Sequence, residues 1–194
     1  MVEESADTQV TLGMRYFSAH RSRSEWRYVS VQRVQVGPPS RLVAVCHRSG
    51  TLKWFRVENV SLAKLESTEG YRTQESEKVQ AYVDGSVDGF HSEGEACHST
   101  FVVGEPDAHW LRNNLLDGMH IDPNESVRDG VRVHVPSTAM LPVARFVVGL
   151  GAAARVETPE LAACVRELAR GALGGTPVAS TRAKRLRSGG AATG

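Results

Sequence analysis

The sequence predicts an α+β protein built from two units, and three observations predict it. Residues 8–66 hold five β-branched, alternating stretches at about 8–12-residue spacing with no helical pattern between them. Residues 96–173 change rhythm and interleave short strands with amphipathic helical stretches. Between them, residues 67–95 are rich in Ser, Gly, Glu and Asp and read as a linker.

In the first unit, TLGMRYFS is a strand and AHRSRS the turn after it. EWRYVSVQRVQV is a long strand that stops at GPPS, where two prolines end the ladder. RLVAVCH runs to the turn RSG, and TLKWFRVENV and SLAKLE complete the set. Five such strands imply a small barrel or curled sheet. Within the linker, KVQAYV is expected to form one short strand.

In the second unit, ACHSTFVVG is a strand. PDAHWLRNNLL starts a helix at Pro106, with Ala108, Leu111 and Leu115 on one face and Trp110 beside it. MHIDPNES is a short strand, Asp129-Gly130 a turn and VRVHV an alternating strand. STAMLPVARFVVGLG is a helix capped by Ser137 or Thr138 and ended by Gly149 or Gly151. AARVE is a short strand. TPELAACVRELARGAL is a helix with Thr158 as N-cap and Pro159 in its first position. The order β-α-β-β-α-β plus a last helix is the split βαβ, ferredoxin-like arrangement. Residues 174–194 carry too few apolar groups to offset ordering entropy and read as a disordered basic tail.

Composition narrows the function classes. With 23 basic against 22 acidic residues the net charge is +1, so any anion site must be a local cluster rather than a whole-protein field. Cys46, Cys97 and Cys164 are far apart and form no CxxC pair. Neither a zinc site nor a disulfide framework is signalled, and a reducing cytoplasm is the expected location. MVEESADTQ lacks the basic and apolar regions of a signal peptide. The apolar run around Val143–Ala154 is broken by Arg145 and glycines and is too short to cross a bilayer, so no membrane partner is expected. The seven histidines are scattered without an HxH or HxxxH pair, and no serine sits in a G-x-S-x-G elbow. No metal, cofactor or enzymatic activity is expected.

The stretch GTLKWFRVENVS puts Lys53, Trp54, Phe55 and Arg56 side by side. Alternation places Arg56 on the face of Trp54, and Lys53 on that of Phe55. Read alone, these charges are a solvated face lying over aromatic rings, or the lining of a pocket for an anion.

The first unit resembles a WYL domain, a small Sm/SH3-like barrel of bacterial transcription regulators. Tyr16-Phe17-Ser18 stands for the family's "Y-x-S" strand, Arg27-Tyr28-Val29 for its "R-x-[VI]-x-P" strand, and LKWFRVENV for its closing "R-x-F-R-L-D-R-I" strand. The second unit is similar to the WYL C-terminal extension, through DGVRVHV and GLGAAARVETPELAACVRELARGAL. The resemblance implies an anion pocket of Ser18, Arg27, Lys53 and Arg56, with Trp54 or Tyr28 placed to stack a base. The implied effector is a nucleotide or short nucleic acid. Three departures stand out. Arg41-Leu42-Val43 replaces the namesake triplet, Asn59 replaces the second closing-strand Arg, and too few residues precede the first strand for the family's winged helix-turn-helix. The implied role is regulatory sensing, acting on transcription or phage-defence control through a partner chain that carries a DNA-binding domain. A homodimer through the second unit is also implied. The other reading is an interaction subunit that senses nothing. Arg182, Lys184, Arg185 and Arg187 make a compact basic patch suited to a phosphate backbone, or simply a solubilising tail.

Overall fold

A computed structural model of the chain describes residues 1–18, 22–123, 125 and 127–174. It is α+β, with two antiparallel sheets of five and four strands. The first sheet contains β1 (Thr11–Ser18), β2 (Arg23–Gln35), β3 (Arg41–Cys46), β4 (Thr51–Arg56) and β5 (Val60–Glu66), in the order β4-β3-β2-β1-β5. The expected single strand TLKWFRVENV is interrupted: a 3₁₀ turn at Val57–Asn59 separates β4 from β5.

One face of this sheet carries Leu12, Met14, Val29, Val31, Leu42, Ala44, Cys46 and Phe55, all buried, with Ala63 and Leu65 of β5 packed on them. Helix α1 (Val2–Thr8), which no periodic pattern in MVEESADTQ announces, caps this core with Val2 and Ala6. The sheet is curled. The rings of Tyr16 on β1 and Phe55 on β4 meet edge to face at 5.1 Å, although β2 and β3 lie between their strands. In a flat sheet three strand spacings of about 4.8 Å would keep them apart.

The second sheet contains β6 (Cys97–Gly104), β7 (His120–Ile121), β8 (Gly130–Ser137) and β9 (Ala154–Val156), in the order β7-β8-β6-β9. In β8 the buried positions Val131, Val133 and Val135 alternate with half-exposed ones, the period of a one-sided strand. Their face packs with Phe101 and Val103 against α3 (Asp107–Leu111), α4 (Met140–Leu150) and α5 (Pro159–Gly174), which contribute Ala108, Leu111, Val143, Ala144, Val147 and Leu161. Gly151 ends α4 and Thr158 directly precedes α5, as expected, but the N-cap of α4 differs. Ala139 is the N-cap of α4 without a side-chain bond, while Ser137 Oγ accepts the Ala139 N–H at 2.9 Å. Thr158 Oγ1 accepts from the Thr100 N–H at 2.7 Å and so ties α5 to β6.

The segment between the sheets departs most from the sequence reading. KVQAYV lies in a helix, α2 (Ser76–Asp84), not a strand. Its alternation is overridden because only Val79 is buried, on one face of the helix. Around it, Tyr71 donates its hydroxyl to the Val31 carbonyl, and Gln74 N–H donates to Gln32 Oε1 at 2.8 Å. The segment is therefore packed on the outer face of β2–β3–β4, which explains why Val43 and Val45, on that face, are as buried as the core.

Candidate anion-binding site

The register decides which expected site residues meet. On β1–β2 the inner face carries, in successive pairs, Met14 opposite Arg27, Tyr16 opposite Glu25 and Ser18 opposite Arg23. Glu25 is the focus. Arg23 Nη2 lies 2.6 Å from Oε1, and Arg27 Nη2 and Arg48 Nη1 lie 3.2 and 3.1 Å from Oε2. Among the described residues three guanidinium groups thus share one carboxylate, an excess of two positive charges. Arg27 is 11% exposed, and its Nε is buried with no hydrogen-bond partner. Burial pushes the neighbouring Cys46 thiol up, but N–H groups of Ser49 and Arg48 and the side chains of Ser49 and Arg27 outweigh it and leave its pKa lowered.

Lys53 is also on the inner face, but it is paired with Ala44 and level with Val31, two side-chain positions from Arg27. Lys53 is exposed at the sheet edge. With Trp54 it lines a cavity of about 560 Å³ between β4, α2 and residues 89–93. Trp54 points to the outer face, where its indole N–H donates to Ser86 Oγ at 2.9 Å. Tyr82 lies alongside it, and burial pushes the Tyr82 hydroxyl up to about 12. Arg56, on the same face as Trp54, faces Asp88 at 3.8 Å. The expected residues therefore fall in three places: Ser18 and Arg27 at the Glu25 cluster, Lys53 and Trp54 at the cavity, and Arg56 beside Asp88. Arg182, Lys184, Arg185 and Arg187 lie outside the described residues.

Sequence reading missed the junction between the sheets. Arg41, 3% exposed, pairs through Nη2 with Asp88 and through Nη1 with Asp117 Oδ2 at 2.7 Å. Gln35 Nε2 also donates to Asp117, at 3.0 Å. Val87, between the two anchors Ser86 and Asp88, is fully buried in the core of the second sheet. Residues 86–88 thus hold both units at once. A signal was present, since an Arg opening an otherwise apolar strand needs a fixed carboxylate. Likewise Arg23, Glu25 and Arg27 alternate along one strand face, although Glu25 reads as isolated in sequence.

Among the described residues no group of three or more His, Cys, Asp or Glu side chains is placed to hold a metal. Nor is any of their helices long and apolar enough to cross a membrane.

No family model matches the chain. No curated protein matches it either. Among solved structures it is similar to proteasome accessory factor B/C (PafBC) of Arthrobacter aurescens, at 17% identity and a TM-score of 0.39, over 98% of this chain and 29% of that one. It is also similar to a CRISPR Cas-related protein, at 14% identity and a TM-score of 0.49, over 91% of this chain and 52% of that one. The chain spans about a third and about half of the lengths of these two proteins.

Proposed function

We propose that the chain is a WYL-type regulatory module that binds an anionic effector, a nucleotide or short nucleic acid, at the Glu25 cluster. It passes the bound state to transcription or phage-defence control through a partner chain carrying a DNA-binding domain. The role is binding, not catalysis, and its setting is the cytoplasm. The observation that carries this reading is the meeting of Arg23, Arg27 and Arg48 on one carboxylate beside Ser18. A phosphate needs the same forked donors, and Glu25 occupies the place where such a group would be held. The curl that brings Tyr16 to Phe55 supports an Sm/SH3-like barrel, and the strand order β7-β8-β6-β9 supports a ferredoxin-like second unit.

The test is a titration of the whole chain with a short 5′-phosphorylated single-stranded oligonucleotide. Arg27→Gln is expected to weaken binding by about 1–3 kcal/mol with an unchanged circular dichroism spectrum. Equal affinity in wild type and variant, or no binding in either, removes the reading.

The interaction-subunit reading is favoured by a different observation. On the outer face of β5–β1–β2, Leu62 (60% exposed), Trp26 (38%) and Phe17 (42%) are large exposed apolar side chains set around Arg15, with Lys64 over the Trp26 ring. Under that reading Leu62→Asp abolishes assembly with the partner in sedimentation while Arg27→Gln changes nothing, and a homodimer through the second unit survives both substitutions.

A further inference from the structure

We propose that the cavity along the edge of β4 is a second binding site, for a planar aromatic ring that carries an anionic group. It is separate from the Glu25 cluster and does not depend on it. A cavity of about 560 Å³ falls in the range of small-molecule sites. Its lining combines four ring residues, Trp54, Tyr82, Phe90 and His91, with two lysines, Lys53 and Lys78, at the open edge of the sheet.

The rings are held in place before any ligand arrives. Tyr82 lies between Trp54, at 6.4 Å, and His91, at 4.1 Å, each tilted by 33° from it. One nitrogen of each of the two outer rings is engaged with the protein. Trp54 Nε1 donates to Ser86 Oγ, and His91 Nδ1 lies 3.2 Å from Thr138 Oγ1 and 3.4 Å from Ser86 Oγ. Their ring faces suit stacking by a flat ligand. Phe90 is 46% exposed and stacks on no other ring among the described residues. An aromatic side chain left open at the lip of an aromatic cavity is positioned to cover an incoming ring.

Charge sets the second half of the ligand. Lys53 is exposed and has no carboxylate partner among the described residues, whereas Lys78 is paired with Glu75 at 2.9 Å. Glu93 is the only carboxylate among the lining residues. One ammonium is therefore available for one anionic group at the edge of the ring. The ligand class is a mononucleotide or another aromatic acid of that size. The shared chemistry is ring plus anion.

The experiment is isothermal titration of the full chain with AMP as probe, and with adenosine and inorganic phosphate as its two halves. AMP is expected to bind saturably and to change tryptophan emission. Adenosine should bind about tenfold more weakly, and phosphate should not displace AMP at equal concentration. Lys53→Ala and Phe90→Ala, both at exposed positions, should each weaken AMP about fivefold or more without changing Tm. Arg27→Gln should leave AMP affinity unchanged. The proposal is overturned if AMP does not bind saturably, if both cavity variants bind it as wild type does, or if phosphate alone competes as well as AMP. It is also overturned if Arg27→Gln, rather than the cavity variants, abolishes binding, since AMP then sits at the Glu25 cluster.

Discussion

Arg41 of the first sheet reaches Asp117 of the second unit, with Nη1 2.7 Å from Oδ2, and pairs through its other nitrogen with Asp88. The guanidinium is almost wholly buried, while Asp88 and Asp117 keep 29% and 57% exposure. Desolvation of the cation is offset by two carboxylates that water still partly reaches. The segment 86–88 is held to β3 and β4 by this pair and by the Ser86–Trp54 bond, and to the second core by Val87. Residues 89–91 of the cavity follow this segment directly in the chain.

Replacing Arg41 by Met is expected to cost about 2–3 kcal/mol, less than for carboxylates left fully buried. Thermal unfolding measures the loss. Hydrogen exchange at residues 85–91 should quicken more than in β6 or β8. An unchanged Tm with unchanged exchange would show that the pair does not hold the units.

Gly118 should not tolerate a side chain. Its φ is +87, and a Cβ there would strike the Ser86 carbonyl oxygen. Because backbone has to move, Gly118→Ala is expected to cost about 2–3 kcal/mol. Gly50, at φ +71 with open space around it, is the control. There Ala adds only conformational strain, about 1 kcal/mol. Equal losses at the two sites in chemical denaturation would refute the steric argument.

Glu25 competes with any anion that approaches Arg23, Arg27 and Arg48. Glu25→Gln removes the internal carboxylate and leaves three guanidinium groups without it. Affinity for the phosphorylated oligonucleotide should rise about fivefold or more, and Tm should fall because the arginines now repel. Weaker binding in this variant would show that Glu25 contacts the effector instead of excluding it.

Stability should fall as pH drops from 7 to 5. Burial depresses the pKa of His91, and burial and Arg72 depress that of His47, against an opposing pull from Glu69. Between the unfolded value near 6.5 and the lower folded values, the unfolded chain binds more protons, so acid favours it. Glu58, Glu66, Glu105 and Glu125 have carboxyls held below their ordinary value of 4.5, and their contributions are lost only at lower pH. Tm measured across this window should slope upward with pH, and His91→Gln should flatten the slope. A flat wild-type profile between pH 5 and 7 would contradict the assignment.

The strands of the first sheet and the helices α4 and α5 were legible because each shows its own period of apolar residues, and burial on one face enforces that period. Helix α1 was not legible, since two apolar contacts, Val2 and Ala6, suffice to dock it. KVQAYV was misread for a related reason: a run with a single buried position carries almost no periodic signal.

The linear sequence by itself determined that this is an α+β chain with two runs of structure and that β4 carries cations among aromatics. It determined too that Lys53 and Trp54 face opposite ways. Local pattern suffices for such statements, because side-chain direction along a strand follows from the pleat alone. Only the tertiary structure decided that Arg27 meets Arg23 and Arg48 at Glu25, that Arg41 joins Asp88 to Asp117, and that Tyr82 and His91 complete a cavity with Trp54. Those meetings depend on strand register, sheet curl and the docking of residues 71–91. They are set by the shared burial of groups far apart in the chain, which no local spacing encodes.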